Sequence, residues 1–261
     1  QFFHTYRVAA LCERIAKAAG MCAYDVELAW LSGMLHDVGR FEQIKRYNTF
    51  SDADSVDHAK FGADLLFKDG LISTFLKGMV KCTGYKLGAL EDRYDSDGVF
   101  LYDRLNKSDM EMLELAIRCH NMYRIPQGLN SREQAFCNVL RDADKVDIFK
   151  VNIDTPLEEI YNTTTEELMK SDITDEVLKA FDEEHCILKA IRRTPADTVI
   201  GHVSLAYELV YDESVRITVE QGYLAKLMHF HSDNEETNRK MAMVRDKMDS
   251  YVKKRIGEKY A

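Results

Sequence analysis

Several histidines and aspartates in this chain continue the apolar face of a predicted helix, where polar side chains are unusual. His4, for example, is in helical register with Val8 and Ile15. The residues with this placement are His4, the doublet His36-Asp37, His58, His120 and Asp144. One buried polar group needs only a hydrogen bond, but five such positions on five helices need something that satisfies them together. Imidazole and carboxylate groups are good ligands for divalent cations, so the pattern predicts a metal site.

The elements that must position these residues are helices, because the apolar periodicity is helical along most of the chain. The predicted helices cover about residues 2–19, 24–38, 55–68, 71–80, 108–122 and 131–151, followed by shorter segments and a charged helix over 234–257. Residues 83–107 are weakly periodic and predict a loop or cap. We therefore expect an all-α fold, with a metal-binding core over 1–155 and a helical extension over 156–261 packed on it.

The composition is that of a globular protein with an excess of acidic residues. The 261 residues carry a net charge of −9, which argues against binding to long nucleic acids or anionic membranes. No apolar run reaches the roughly 18 residues that a membrane-spanning helix needs. The six cysteines contain no CxxC pair, which favours a reducing, cytoplasmic environment without disulfides.

The order of these histidines and aspartates resembles the HD-domain superfamily of metal-dependent phosphohydrolases. That family has a first histidine on helix one, a His-Asp doublet at the end of a following helix and a later aspartate, and its binuclear members add two histidines in between. The matching segments are His4-Thr-Tyr-Arg7-Val8, His36-Asp37-Val-Gly-Arg40, Asp57-His58-Ala-Lys-Phe-Gly62-Ala, Arg118-Cys-His120-Asn121 and Arg141-Asp142-Ala-Asp144-Lys145-Val-Asp147. The resemblance covers about residues 2–150 and implies an HD-domain-like helical bundle with additional C-terminal helices.

The resemblance also implies a set of metal ligands. One divalent cation would be held by His4, His36, Asp37 and Asp144, and a second by Asp37, His58 and His120. Asp37 would then be shared between the two ions. We expect iron or manganese, ahead of zinc, nickel, cobalt or magnesium. Two such ions lower the pKa of a water molecule and orient it for attack on phosphorus.

The substrate implied is a small, nucleotide-like phosphate mono- or diester. Its negative charge needs cationic partners besides the metals, and Arg40 and Lys145 stand close to the ligands in sequence. We therefore predict that Asp37, Arg40 and Lys145 are the catalytic residues. The sequence has no Gly-Tyr-Pro tripeptide, which marks the cyclic-dinucleotide phosphodiesterases of the superfamily, so that specificity is not assigned.

Two other functions remain open at this point. Di-iron oxygenases related to this superfamily use the same order of ligands, and a metal-stabilised signalling module would need no catalysis. The final helix carries an apolar stripe of Met241, Val244, Met248 and Tyr251. The stripe predicts packing against the rest of the chain, with a homodimer contact as the alternative.

Overall fold

The computed structural model describes residues 2–77 and 105–257. The described part of the chain is helical and contains no strand, so the predicted all-α class is confirmed. Its α-helices are α1 (Phe2–Ala18), α2 (Ala23–Leu35), α3 (Val38–Tyr47), α4 (His58–Ala63), α5 (Leu71–Lys77), α6 (Lys107–Cys119), α7 (Ser131–Asp154), α8 (Leu157–Tyr161), α9 (Thr165–Lys170), α10 (Asp175–Asp182), α11 (Pro195–Val203), α12 (Asp212–Gln221), α13 (Tyr223–Met228) and α14 (Glu235–Ile256). None of these helices combines the length and the apolar character that crossing a membrane requires.

The chain divides into two compact units, Gln1–Asp144 and Lys145–Ala261, and the boundary falls inside α7. The first unit contains all six positions of the predicted metal site. The functional division expected after residue 155 remains a prediction. Most of the predicted cap over 83–107 lies outside the described residues.

In the first unit, α1 packs along α2, and α4 packs against α3 and α6. The backbones of α1 and α2 approach closely at Gly33, where an added Cβ would lie 2.6 Å from the Cα of Ala9. The core of this unit is mostly aliphatic, and helices α1, α2, α6 and α7 contribute to it. Its fully buried members include Val8, Cys12, Ile15, Leu28, Leu113, Ile117, Val139 and Leu140.

The predicted end of the second helix is wrong. The sequence predicts a helix over 24–38 followed by Gly39, but α2 ends at Leu35 and a new helix, α3, begins at Val38. Gly39 lies inside α3, at the point where the backbone of α4 touches it. A Cβ on Gly39 would lie 2.2 Å from the carbonyl oxygen of His58. The glycine therefore allows two helices to meet and does not end one.

Two other helix starts also differ from the sequence prediction. α4 begins at His58 and not at residue 55, because the Asp57 side chain accepts a hydrogen bond from the backbone N–H of Lys60 and caps the helix. α6 begins at Lys107 and not at residue 108, and the Asn106 side chain caps it by accepting a hydrogen bond from the backbone N–H of Asp109. In both cases the residue just before the first helical turn supplies the capping oxygen.

In the second unit, the stripe of α14 is buried within the chain. Met241, Val244 and Met248 are fully buried, and α14 packs against α10, α12 and α13. These three residues of the stripe therefore pack within the second unit, and the packing of the C-terminal extension on the metal-binding core remains a prediction. The five cysteines in the described ranges are free thiols.

Candidate metal centre

Side chains from two helices and one helix junction form the first half of a polar cluster. His4 Nε2 lies 3.6 Å from Asp37 Oδ2 and 3.3 Å from Asp144 Oδ1. His36 Nε2 lies 3.5 Å and 3.8 Å from the same two oxygens. The ligand atoms that His4, His36 and Asp144 offer lie within 4.8 Å of one another. Two imidazole nitrogens and two carboxylate oxygens thus face a common point.

The second half of the cluster forms at the other oxygen of Asp37. His58 Nε2 lies 3.5 Å from Asp37 Oδ1, and His120 Nε2 lies 3.8 Å from it. The two Nε2 atoms are 3.0 Å apart. The Asp37 carboxylate therefore stands between two pairs of histidines, with one oxygen turned to each pair.

Breaks and ends of helices place most of these side chains. Asp37 lies between α2 and α3 at the position of an N-cap, yet its side chain forms no capping hydrogen bond, so the carboxylate is directed into the cluster. His36 occupies the C-cap of α2, and His120 the C-cap of α6. His58 is the first residue of α4. Only His4 and Asp144 come from helix interiors, on α1 and α7.

The partners of the Nδ1 atoms assign the tautomers of three of the rings. His36 Nδ1 donates to the carbonyl oxygen of Gly33, and His120 Nδ1 to that of Ile117, both at 2.7 Å. His58 Nδ1 donates to Asp52 Oδ2 at 2.6 Å. A carbonyl oxygen can only accept, so the proton lies on Nδ1 and Nε2 keeps its lone pair when the ring is neutral. This hydrogen bonding at the outer nitrogen is typical of histidines that bind metals.

The lone pairs that result need a positive partner. His36 Nε2 is buried and has no hydrogen-bond partner, although it faces two carboxylate oxygens. In their neutral forms, His58 and His120 point two lone pairs at each other across 3.0 Å. Both arrangements are unfavourable without a cation, and both become favourable when one binds. The residues present therefore fit a divalent metal.

The protonation states also suit metal binding. Burial is the main cause that lowers the pKa of His120 to about 4, so this ring is neutral at pH 7. Burial alone would raise the pKa of Asp144, but the contacts with the imidazoles of His4 and His36 outweigh it and hold the pKa below its usual range. The pKa of Asp37 is lowered as well, because His36 and His120 outweigh its burial. Both carboxylates are therefore ionised.

The two predicted cationic residues have different surroundings. Arg40 lies beside the cluster, with Nε 3.9 Å from Asp37 Oδ1, but its NH1 donates to Asp52 and to the carbonyl oxygen of Phe50. Lys145 is half-buried. The positive charge of Lys145 acts on Cys186. Burial raises the pKa of that thiol, and the charge of Lys145 opposes part of the rise.

Sequence reasoning missed Asp52, whose carboxylate contacts both His58 and Arg40. Asp52 lies in the segment between α3 and α4, where no helical periodicity marks it. Asn121 is a second residue of this kind, since its amide donates to Asp57 Oδ1 at 2.9 Å and approaches Asp52 Oδ2 at 3.4 Å. No spacing rule relates these side chains, because they meet only through the packing of α4 on α6.

Comparison with known proteins gives a family match over most of the sequence. The family model of the HD domain matches residues 2–254. This match extends well beyond the segment over 2–150 that carries the motifs. No curated protein and no solved structure matched the chain. Because the family model spans nearly all of the sequence, the chain belongs to the HD-domain family.

Proposed function

We propose that this protein is a metal-dependent phosphohydrolase that cleaves a small phosphate mono- or diester. The observation that supports this most is the position of Asp37, whose two oxygens face two separate pairs of imidazole nitrogens. A carboxylate so placed is suited to bridge two divalent cations. Paired cations of this kind are used by many enzymes that cleave phosphate esters.

Each half of the cluster would hold one ion. The proposed ligands are His4, His36, Asp37 and Asp144 for the first ion, and Asp37, His58 and His120 for the second. When bound, two divalent cations lower the pKa of water and neutralise charge on the phosphoryl oxygens. We favour iron or manganese, because the donors are imidazole and carboxylate without thiolate. The chain itself contributes preorganisation, since burial and the hydrogen bonds at Nδ1 hold the ligand atoms in place before a substrate arrives.

A small, nucleotide-like substrate suits the charges of the protein. The net charge of −9 opposes a long polyanion. Arg40 places a positive charge 3.9 Å from Asp37, close to where a phosphate would bind. Lys145 is proposed as a second phosphate contact only because it follows Asp144 in the sequence.

The proposal is tested by stripping the protein of metal with a chelator and reloading it with Mn²⁺ or Fe²⁺. We expect hydrolysis of p-nitrophenyl phosphate, bis(p-nitrophenyl) phosphate or a member of a nucleotide panel, and we expect it only after reloading. Asp37→Asn should abolish this activity. Asp64→Asn is the matched control, because Asp64 pairs with Arg118 and Lys68 on the surface. Wild-type protein that carries two equivalents of metal but cleaves none of these esters would refute the proposal.

The runner-up is a di-iron oxygenase, since relatives with this activity use the same order of four histidines and two aspartates as the cluster offers. It is distinguished by its need for oxygen. Oxygen consumption by the iron-loaded protein, without hydrolysis of any ester, would favour the oxygenase. If the metal-loaded protein shows neither activity but unfolds at a higher temperature than the metal-free protein, a non-catalytic, metal-stabilised module becomes the better explanation.

A further inference from the structure

We infer that Asp52 is a positioning residue that controls metal binding in the second half of the cluster, at His58 and His120, without controlling the first half. The inference rests on the proposed metal centre. It adds a residue whose substitution would change the affinity for one of the two ions and leave the affinity for the other unchanged. It starts from the hydrogen bonds of Asp52, which reach His58 from outside the cluster.

Both oxygens of Asp52 are engaged by donors. Oδ2 accepts from His58 Nδ1 at 2.6 Å. Oδ1 accepts from Arg40 NH1 at 2.8 Å and from Gln43 Nε2 at 3.0 Å. Because each oxygen has its own donors, the carboxylate cannot rotate without losing charge-assisted hydrogen bonds. The orientation of Asp52 is therefore fixed from the side of α3.

Arg40 and Gln43 are themselves tied to the segment that carries Asp52. Arg40 NH1 also donates to the carbonyl oxygen of Phe50 at 2.6 Å. The Gln43 side chain is fully buried, and its amide donates to Ser55 Oγ at 2.8 Å and to the carbonyl oxygen of Val56 at 3.0 Å. These contacts tie residues 50–56 to α3 at several points, so the segment that carries Asp52 is held beside His58.

The consequence for His58 is a defined tautomer. With its proton held on Nδ1 by Asp52, the ring presents the Nε2 lone pair to Asp37 Oδ1, which is 3.5 Å away. The first half of the cluster is fixed differently, because His36 Nδ1 donates to Gly33 on its own helix. A change at Asp52 should therefore act on the second half and spare the first.

Asparagine at position 52 would break this arrangement although it is nearly the same shape. An amide has one oxygen and one NH₂ group, but Asp52 accepts on both sides. Arg40 carries a full charge and will take the oxygen, so the NH₂ group will face His58. His58 must then accept with the Nδ1 lone pair and carry its proton on Nε2. The Nε2 atom would no longer present a lone pair to the cluster.

The test compares Asp52→Asn with the matched control Asp64→Asn. Asp64 forms an ion pair with Arg118 at 2.7 Å, much as Asp52 does with Arg40 at 2.8 Å, but its partners are Arg118 and Lys68 and include no predicted ligand. Metal-free proteins are titrated with Mn²⁺, and bound metal is measured by mass spectrometry. We expect wild type and the control to bind two equivalents. In Asp52→Asn the first equivalent should bind normally, and the second about 10–100-fold more weakly.

Two equivalents bound by Asp52→Asn with wild-type affinity, or a single equivalent bound by wild type, would overturn the inference. If Asp52→Asn does not fold, nitrogen NMR of the histidine rings in zinc-loaded wild-type protein shows which tautomer His58 adopts. The His58 proton should be on Nδ1, and a proton on Nε2 would overturn the inference. If the second equivalent is lost as expected but wild type cleaves no ester, the inference stands and only the proposed function fails.

Discussion

Replacing Gly39 with alanine tests how the fold brings His58 to the cluster. Gly39 lies in α3, where its backbone touches α4. An added Cβ would lie 2.2 Å from the carbonyl oxygen of His58, 2.7 Å from Gly62 N and 3.0 Å from Gly62 Cα. All three neighbours are backbone atoms, so no flexible side chain can move aside. The two helices must separate, and His58 must move with α4.

The size of the effect follows from these distances. Ordinary van der Waals contact begins at 3.4 Å, so the contact at 2.2 Å requires a displacement of about 1.2 Å (3.4 − 2.2). Overpacking of this kind costs about 1–3 kcal/mol, and the better helix propensity of alanine returns about 1 kcal/mol. We expect a net loss of up to about 2 kcal/mol in the free energy of unfolding. A misplacement of about 1 Å at a reactive site can reduce the rate about 100-fold.

The assay combines urea unfolding with Mn²⁺ titration of each variant. Gly39→Ala should lose stability and bind the second equivalent of metal weakly. Gly62→Ala should do the same to a smaller degree, because its closest contact, with Gly39 N, is 2.8 Å. Gly20→Ala is the control: its φ of +74° makes alanine unfavourable by about 1–2 kcal/mol, yet open space surrounds the position, so metal binding should not change. Normal stability and two normal equivalents in Gly39→Ala would refute this reasoning.

Further predictions concern the shared carboxylate, a half-buried histidine and a buried aspartate. Asp37→Ala should remove both equivalents of metal, and His58→Ala only the second, as measured by metal analysis after desalting. Equal losses of metal in the two variants would contradict a bridging role for Asp37. Burial lowers the pKa of His202 to about 3, whereas an unfolded histidine titrates near 6.5. The unfolded state therefore binds the extra proton between these values, and the free energy of unfolding should fall below pH 6.5 by up to about 1.4 kcal/mol per pH unit. His202→Phe should remove this part of the pH slope in urea unfolding, and an unchanged slope would show that His202 is not buried in its neutral form. Asp109 is buried and accepts from Tyr24 at 2.5 Å and Arg132 at 2.8 Å, so Asp109→Ala should destabilise the protein by about 3 kcal/mol without changing its metal content. A loss below about 1 kcal/mol would contradict that assignment.

The helical class and the candidate residues could be predicted from the sequence, because both depend on short-range order. A helical period shows which residues share a face, so His4 could be aligned with Val8 and Ile15 without a structure. The order of histidines and aspartates also indicated the HD-domain family, which the family model confirms. Their role as metal ligands is our proposal, supported by the way their side chains converge.

Contacts between distant segments could not be predicted in this way. The glycine after the doublet suggests a helix end, yet Gly39 is required because α3 and α4 touch there. Asp52 carries no periodic signal, since its importance comes from Arg40 on one side and His58 on the other. The division of the two Asp37 oxygens between separate pairs of histidines likewise depends on where α1, α4 and α6 come to lie. Periodicity reports the neighbours of a residue within its own helix, whereas packing between helices selects the tautomers, the close contacts and the partners of each oxygen.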